Sequence, residues 1–211
     1  MNIEKKSAAA YRQSSKIDGS PRLTRQDWIK GAIQKLSEDS VAALRVDELA
    51  EFLNVTKGSF YWHFQSREDL LGAVLNSWRA MMTTETKDLI GQLPNDPWDR
   101  LRNLLRIAIS SRPDVPGGPF ELTLRDWARR DSKVAKVIGL VDDARIAFVT
   151  DLYEKAGLDS QMAQDYAIAQ MAYVIGGKTA FANETPAELA HRRKIAEALF
   201  LPKHLGKPRS D

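Results

Sequence analysis

The residues Thr56-Lys57-Gly58-Ser59-Phe60-Tyr61-Trp62-His63-Phe64 concentrate groups that can engage a polyanion. Lys57 can neutralise a phosphate, and the hydroxyls of Ser59 and Tyr61 can donate to phosphate oxygens. Trp62 and His63 can reach base edges, sugars or backbone. Gly58 carries no side chain, so the backbone there can come close to a partner. Phe60 and Phe64 stand four apart and share one helical face; buried together, they turn the intervening side chains outward. The competing arrangement puts Tyr61 and Trp62 in a core and leaves Lys57 merely solvated.

The elements that must position these groups run from Leu44 to Asp69. Val46, Leu49, Ala50 and Leu53 recur with helical spacing and predict a short amphipathic helix. Asn54 tolerates the left-handed conformation and can end it. Thr56 can cap the next helix through its hydroxyl. Ser66 opens a further helix, with Asp69 three residues on in a weaker form of the capping box. Two short helices joined by a tight turn, the second lined outwardly with Lys, Ser, Tyr, Trp and His, describe a helix-turn-helix. Upstream, Thr24 and Asp27 cap a supporting helix with an apolar stripe of Trp28, Ile29, Ala32, Ile33 and Leu36. Arg45 and Arg67 flank the unit and complete a candidate nucleic-acid set of Arg45, Thr56, Lys57, Gly58, Ser59, Tyr61, Trp62, His63 and Arg67.

The stretch Thr56 to Phe64 resembles the recognition segment of the TetR family of one-component transcriptional regulators, and Ser66-Arg67-Glu68-Asp69-Leu70-Leu71 is similar to the start of that family's fourth helix. The resemblance covers Leu23 to about Trp78. Arg45 departs from the Thr or Ser that more often opens the family's second helix, yet keeps a phosphate contact available. The resemblance implies a homodimer that binds a near-palindromic operator in double-stranded DNA and responds to a small-molecule effector. A repressor released by its ligand is the expected form; a TetR-like activator, a ligand-independent helical scaffold and a helical enzyme are the alternatives. The ligand domain follows mainly from the resemblance. Its candidate walls are Trp98, Phe120, Leu124, Trp127, Phe148, Tyr166 and Tyr173, with Arg125 available to an anionic group; all can equally be plain core.

Beyond the headpiece the pattern is helical throughout, and nothing alternates with period two, so the expected fold is all-α. A long fourth helix carries Leu70, Leu71, Val74, Leu75, Trp78, Met81, Met82, Leu89 and Leu93 up to Pro94. At 1.5 Å per residue it spans roughly 40 Å and must leave the small headpiece for a second domain. Asp96-Pro97 opens a fifth helix, Arg112 to Pro119 reads as a loop, and Phe120, Leu124 and Trp127 mark a sixth. Ser132 begins a seventh, stopped by Gly157. Asp159 or Ser160 caps an eighth, and Thr185 with Glu188 forms a full capping box for a ninth that ends near Phe200. The eighth is rich in small residues that admit a neighbouring helix. With the ninth it makes Asp159 to Phe200 a candidate two-fold interface through Tyr166, Ala169, Ala172, Tyr173, Gly176, Gly177, Ala180, Leu189 and Ile195; packing within one chain is the alternative. The expected organisation is a flexible basic arm over 1–22, a helix-turn-helix domain over 23–69, a ligand-binding and dimerisation domain over 70–201, and a flexible tail over 202–211.

Composition narrows the chemistry. Of the 211 residues none is cysteine, which excludes disulfides and thiolate sites, and the three histidines have no metal-ligand spacing. No metal, cofactor or catalytic constellation is expected. Glu121, Asp126 and Asp131 lie beside arginines, where ion pairing accounts for them. Residues 1–67 carry 11 Lys/Arg against 8 Asp/Glu, while the remainder balances at 20 against 20, so the formal excess of +3 lies with the helix-turn-helix. Without a signal-like start or an apolar run of about 18 residues, the chain reads as cytoplasmic and not membrane-bound.

Overall fold

The computed structural model describes residues 23–93, 95–110, 118–181 and 184–201. The basic arm, the tail and most of the Arg112–Pro119 loop lie outside them. Among the described residues every regular element is helical, and no helix is long and apolar enough to cross a membrane. The helices are α1 (Arg25–Glu38), α2 (Val46–Phe52), α3 (Lys57–Phe60), α4 (Arg67–Ala80), α5 (Thr86–Gly91), α6 (Pro97–Ala108), α7 (Gly118–Ala128), α8 (Ser132–Lys155), α9 (Ser160–Ala180) and α10 (Pro186–Phe200). A 3₁₀ turn, Val41–Ala43, precedes α2, and a π-helical turn, Met81–Glu85, joins α4 to α5.

Local chemistry sets most boundaries. Thr24 and Asp27 form a full capping box on α1, and Thr185 and Glu188 form another on α10. Asp96, Asp131 and Asp159 cap α6, α8 and α9 by accepting from backbone amides one turn ahead. Helix α8 thus begins at Ser132, as expected, with Asp131 as its N-cap. Thr56 sits at the N-cap of α3 without making the side-chain bond expected of it. Asn54 takes φ 58°, ending α2 in the left-handed conformation that the turn requires. Gly118 and Pro119, expected in a loop, already belong to α7, because proline fits the first helical turn.

The chain divides into two compact units, one reaching Val74 and one starting at Leu75. The division falls inside α4, beyond the Asp69–Leu70 boundary expected from sequence, because Leu70, Leu71 and Val74 are buried residues of the first unit. In that unit, Trp28, Leu36, Leu49, Phe60 and Phe64 are sealed from solvent. In the second, Ile90, Leu101, Leu104, Leu152, Tyr153 and Ala163 form one apolar cluster, and Leu105, Ile109, Val174, Leu189, Ala196 and Phe200 form another. The predicted fourth helix is realised as α4, the π-helical turn and α5. The wide turn breaks the usual hydrogen-bond ladder, and threonine hydroxyls offset the loss: Thr83 donates to Arg79 O at 2.8 Å and Thr86 to Met81 O at 2.7 Å.

Gly157 holds φ 101° in the turn between α8 and α9. A side chain there is strained even though nothing lies within 4 Å of where its Cβ would stand. Gly157→Ala should lower stability by about 1–2 kcal/mol, measured as a reduced midpoint in urea with an unchanged slope.

Candidate nucleic-acid interface and interior cavity

The outward face of the headpiece follows from an aromatic core beneath it. Phe60 packs edge-on to Trp28, with centroids 5.4 Å apart, and stacks on Phe64 at 5.4 Å. Arg25 covers Phe64 from outside, its guanidinium carbon 4.6 Å from the ring centre. Helix α3 is a single turn, yet Phe64 N–H still donates to Phe60 O at 3.0 Å, so both phenylalanines keep helical spacing and point inward. The residues between them are thrown out: Tyr61 is 59% exposed and Trp62 83%. Lys57 and Gly58 are exposed beside them, and Ser59 and His63 are half-buried. A Cβ built on Gly58 would meet only Thr56 Oγ1, at 3.8 Å, so internal packing does not demand glycine there.

The two flanking arginines behave differently. Arg45 stays exposed and pairs with Asp47 and Glu48 at the start of α2. Arg67 turns inward: its Nε donates to Leu44 O at 2.7 Å and its Nη2 to Val41 O. Its guanidinium therefore buttresses the 3₁₀ turn that leads into α2.

In the second unit, a cavity of about 620 Å³ opens among the π-helical turn, α6, α8 and α9. Leu104, Ile107, Phe148, Val149, Met171 and Val174 supply apolar wall; Gln170, Arg145 and Lys178 supply polar groups. Lys178 Nζ donates to Glu121 Oε2 at 2.9 Å, and Arg145 Nη1 to Glu121 Oε1 at 2.9 Å. Arg125 adds a bond to Glu121 at 2.8 Å and grips Asp142 with two more, at 2.9 and 2.8 Å. Burial alone would push the Glu121 carboxyl up. The charges of Arg145 and Lys178, with the hydrogen bonds from Arg145 and Arg125, outweigh it and hold the group well below the usual carboxylate range. Behind the wall, the Tyr153 hydroxyl lies 2.6 Å from Gln170 Oε1 and 3.0 Å from Phe200 O. Burial, joined by the neighbouring Tyr166, pushes this hydroxyl up, so it stays a donor.

Residues 29–74, which hold the whole of this outward face, match the family described as bacterial regulatory proteins, tetR family. The headpiece is similar to that of the TetR family. Among curated relatives, the chain is 27% identical over 93 residues to the "Probable acrEF/envCD operon repressor" of Escherichia coli strain K12, covering 44% of this chain and 42% of that protein. It is 28% identical over 82 residues to the HTH-type transcriptional regulator AcrR of Shigella flexneri, covering 39% and 38%. The matched stretch thus spans less than half of these relatives. Solved structures extend the likeness of fold to most of the chain. A TetR-family regulator from Rhodococcus sp. superposes with TM-score 0.63 at 23% identity, covering 86% of this chain and all (100%) of that one. AibR, solved with isovaleryl coenzyme A and operator DNA, gives 0.66 at 16% identity, covering 84% and 98%. A regulator from Saccharomonospora viridis in complex with choline gives 0.72 at 14%, covering 85% and 96%.

The residues singled out from sequence fall into distinct places. Thr56, Lys57, Gly58, Ser59, Tyr61, Trp62 and His63 come together on or beside α3. Of the eight ligand candidates, Phe148 lines the cavity. Phe120 and Leu124 are fully buried, Trp98 and Tyr166 pack around Tyr153, and Tyr173 packs edge-on to Phe200. Trp127 is half-buried on α7, and Arg125 is engaged by its carboxylates. Of the interface candidates, Ala169, Ala172, Gly176, Ala180 and Ile195 are exposed. Leu189 is buried, and Gly177 faces its own chain: a Cβ there would stand 2.5 Å from Arg192 Nη1. The cavity's Arg145, Gln170 and Lys178 escaped the sequence reading. Polar side chains on otherwise apolar helical faces were the available signal for the last two.

Two contrasts check these assignments. Phe60→Ala should cost about 3–5 kcal/mol of stability, whereas Trp62→Ala should change the thermal midpoint little, which comparative calorimetry would show. Glu121→Gln should cost about 3 kcal/mol at neutral pH by leaving buried cations under-paired. Because the folded-state pKa is depressed, that advantage of the native chain is full above the unfolded value near 4.3 and shrinks as the pH falls below it. Urea titrations of both proteins between neutral and acidic pH read the difference.

Proposed function

We propose that the chain is a ligand-responsive transcriptional regulator, a homodimeric repressor whose grip on a near-palindromic operator is released by a small molecule. The observation that carries this is the exposed Lys57–His63 face over buried Phe60 and Phe64, inside the segment that matches the family. In this reading Lys57 and Arg45 neutralise phosphates, Ser59, Tyr61 and the free hydroxyl of Thr56 bond to the backbone, and Trp62 and His63 reach into the groove. Gly58 lets the main chain approach, and Arg67 fixes the turn that aims the set. The curated relatives named as a repressor and a transcriptional regulator, and the neighbour solved with operator DNA, support the assignment.

Release requires an effector site coupled to the headpiece. The cavity fits that role because its wall includes the π-helical turn, which continues the helical run begun by α4. A ligand that favours one arrangement of that run shifts operator affinity by no more than its differential affinity for the two states. The neighbours solved with isovaleryl coenzyme A and with choline support a small-molecule site in this fold. For the dimer, α9 and α10 offer exposed Ile168, Ala169, Ala172, Gly176, Ile195 and Leu199. Small residues there would let two copies of the helix pair pack closely as a four-helix interface.

Selection of bound fragments from a random DNA pool tests the whole reading: an inverted repeat is expected, and the absence of any enriched sequence would overturn it. On the selected operator, Lys57→Ala should weaken binding across sequences and lower the salt slope by about one unit. Ala172→Glu, at an exposed position, should convert the dimer to a folded monomer in sedimentation velocity.

A further inference from the structure

The described residues at the cavity's polar end carry more positive than negative charge. Among the described residues, three cations, Arg125, Arg145 and Lys178, meet two carboxylates, Glu121 and Asp142. The five side chains are 2–24% exposed, so the surplus is poorly hydrated. A charge removed from water needs a partner. Arg125 hydrogen-bonds both carboxylates, whereas Arg145 and Lys178 hydrogen-bond Glu121 alone among the described residues, and these two also line the cavity. Lys178 can donate three hydrogen bonds and Arg145 five. Glu121 takes one from each, and Asp142 stands 3.9 Å from Arg145 as a second ion-pair partner. Gly118 lies beside the stem of Lys178: a Cβ added there would stand 3.5 Å from its Cβ and Cγ, in ordinary contact. Glu85 and Lys87 also line the cavity and cancel each other in charge.

We infer that the ligand of this cavity is an amphipathic organic anion, its carboxylate or equivalent acid held by Lys178 and Arg145 and its aliphatic or aromatic body lying along Phe148, Val149, Ile107 and Leu104. One negative charge brings the cluster to neutrality, and a volume of about 620 Å³ with mostly apolar walls suits an organic body rather than a small inorganic ion. The inference rests on the cavity being the effector site proposed above.

The test compares sodium decanoate, decanol and decylamine by calorimetric titration of the full chain, with matched acids and alcohols from butyrate to palmitate as a length series. Decanoate should bind at least about tenfold more tightly than decanol, as expected for charge-assisted hydrogen bonds. Lys178→Met should erase that preference, Lys178→Arg should keep it, and Glu121→Gln, which removes the competing carboxylate, should keep or strengthen it. Equal binding of acid and alcohol, a preference for the amine, or a preference untouched in Lys178→Met overturns the anion assignment while leaving the cavity as a ligand site. No binding by any member of the series overturns both. Acid-selective binding without any loss of operator affinity upholds the ligand class and overturns the effector role.

Discussion

The contact of Phe60 with Trp28 and Phe64 governs everything the headpiece can do. Trp28 is a fully buried residue of α1, and the Phe60 ring lies edge-on to it. With Phe64 stacked on Phe60, one turn of helix is pinned by two rings that cannot be exposed without losing a large apolar area. A turn as short as α3 has little stability of its own, since helix nucleation is unfavourable. Tertiary packing fixes its rotation, and that rotation decides which side chains meet solvent. Arg67 adds to this by tying down the carbonyls of Val41 and Leu44 ahead of α2.

What could be read from the sequence was what depends on near neighbours in the chain. The boxes at Thr24–Asp27 and Thr185–Glu188, the caps at Asp96 and Asp159 and the positive φ of Asn54 and Gly157 involve residues a few positions apart. The Phe60–Phe64 pair belongs to the same class, so the outward face was legible too. Thr56 was not: the residue type suits a cap, but whether the hydroxyl turns back depends on its surroundings.

The second unit was legible as helices and opaque as a site. Glu121 meets Lys178 across 57 positions and Arg145 across 24, and no periodicity announces such meetings. Large aromatic residues drew attention as cavity walls, yet Phe120 fills core instead. Close packing consumes big rings, and the space left is lined by slimmer side chains such as Leu104, Val149 and Met171. Gly177 illustrates the same limit. Its missing side chain makes room for Arg192, itself clasped by Glu184 through bonds of 2.6–2.9 Å, so a glycine in a small-residue stripe serves its own chain.

The shared proton of Tyr153 links the far end of the chain to the cavity's hydrogen-bonding character. Phe200 is the last residue of α10, and its carbonyl competes with Gln170 Oε1 for that one hydrogen. While the tyrosine occupies the amide oxygen, Gln170 has its NH₂ left to offer the cavity, and the wall there is a donor. Fraying of the final turn would remove the competitor and tighten the hold on Gln170; a lost tyrosine hydroxyl would free the amide to rotate and present an acceptor. The last turn of α10 thereby bears on which group Gln170 turns toward the cavity, through the one hydrogen of Tyr153.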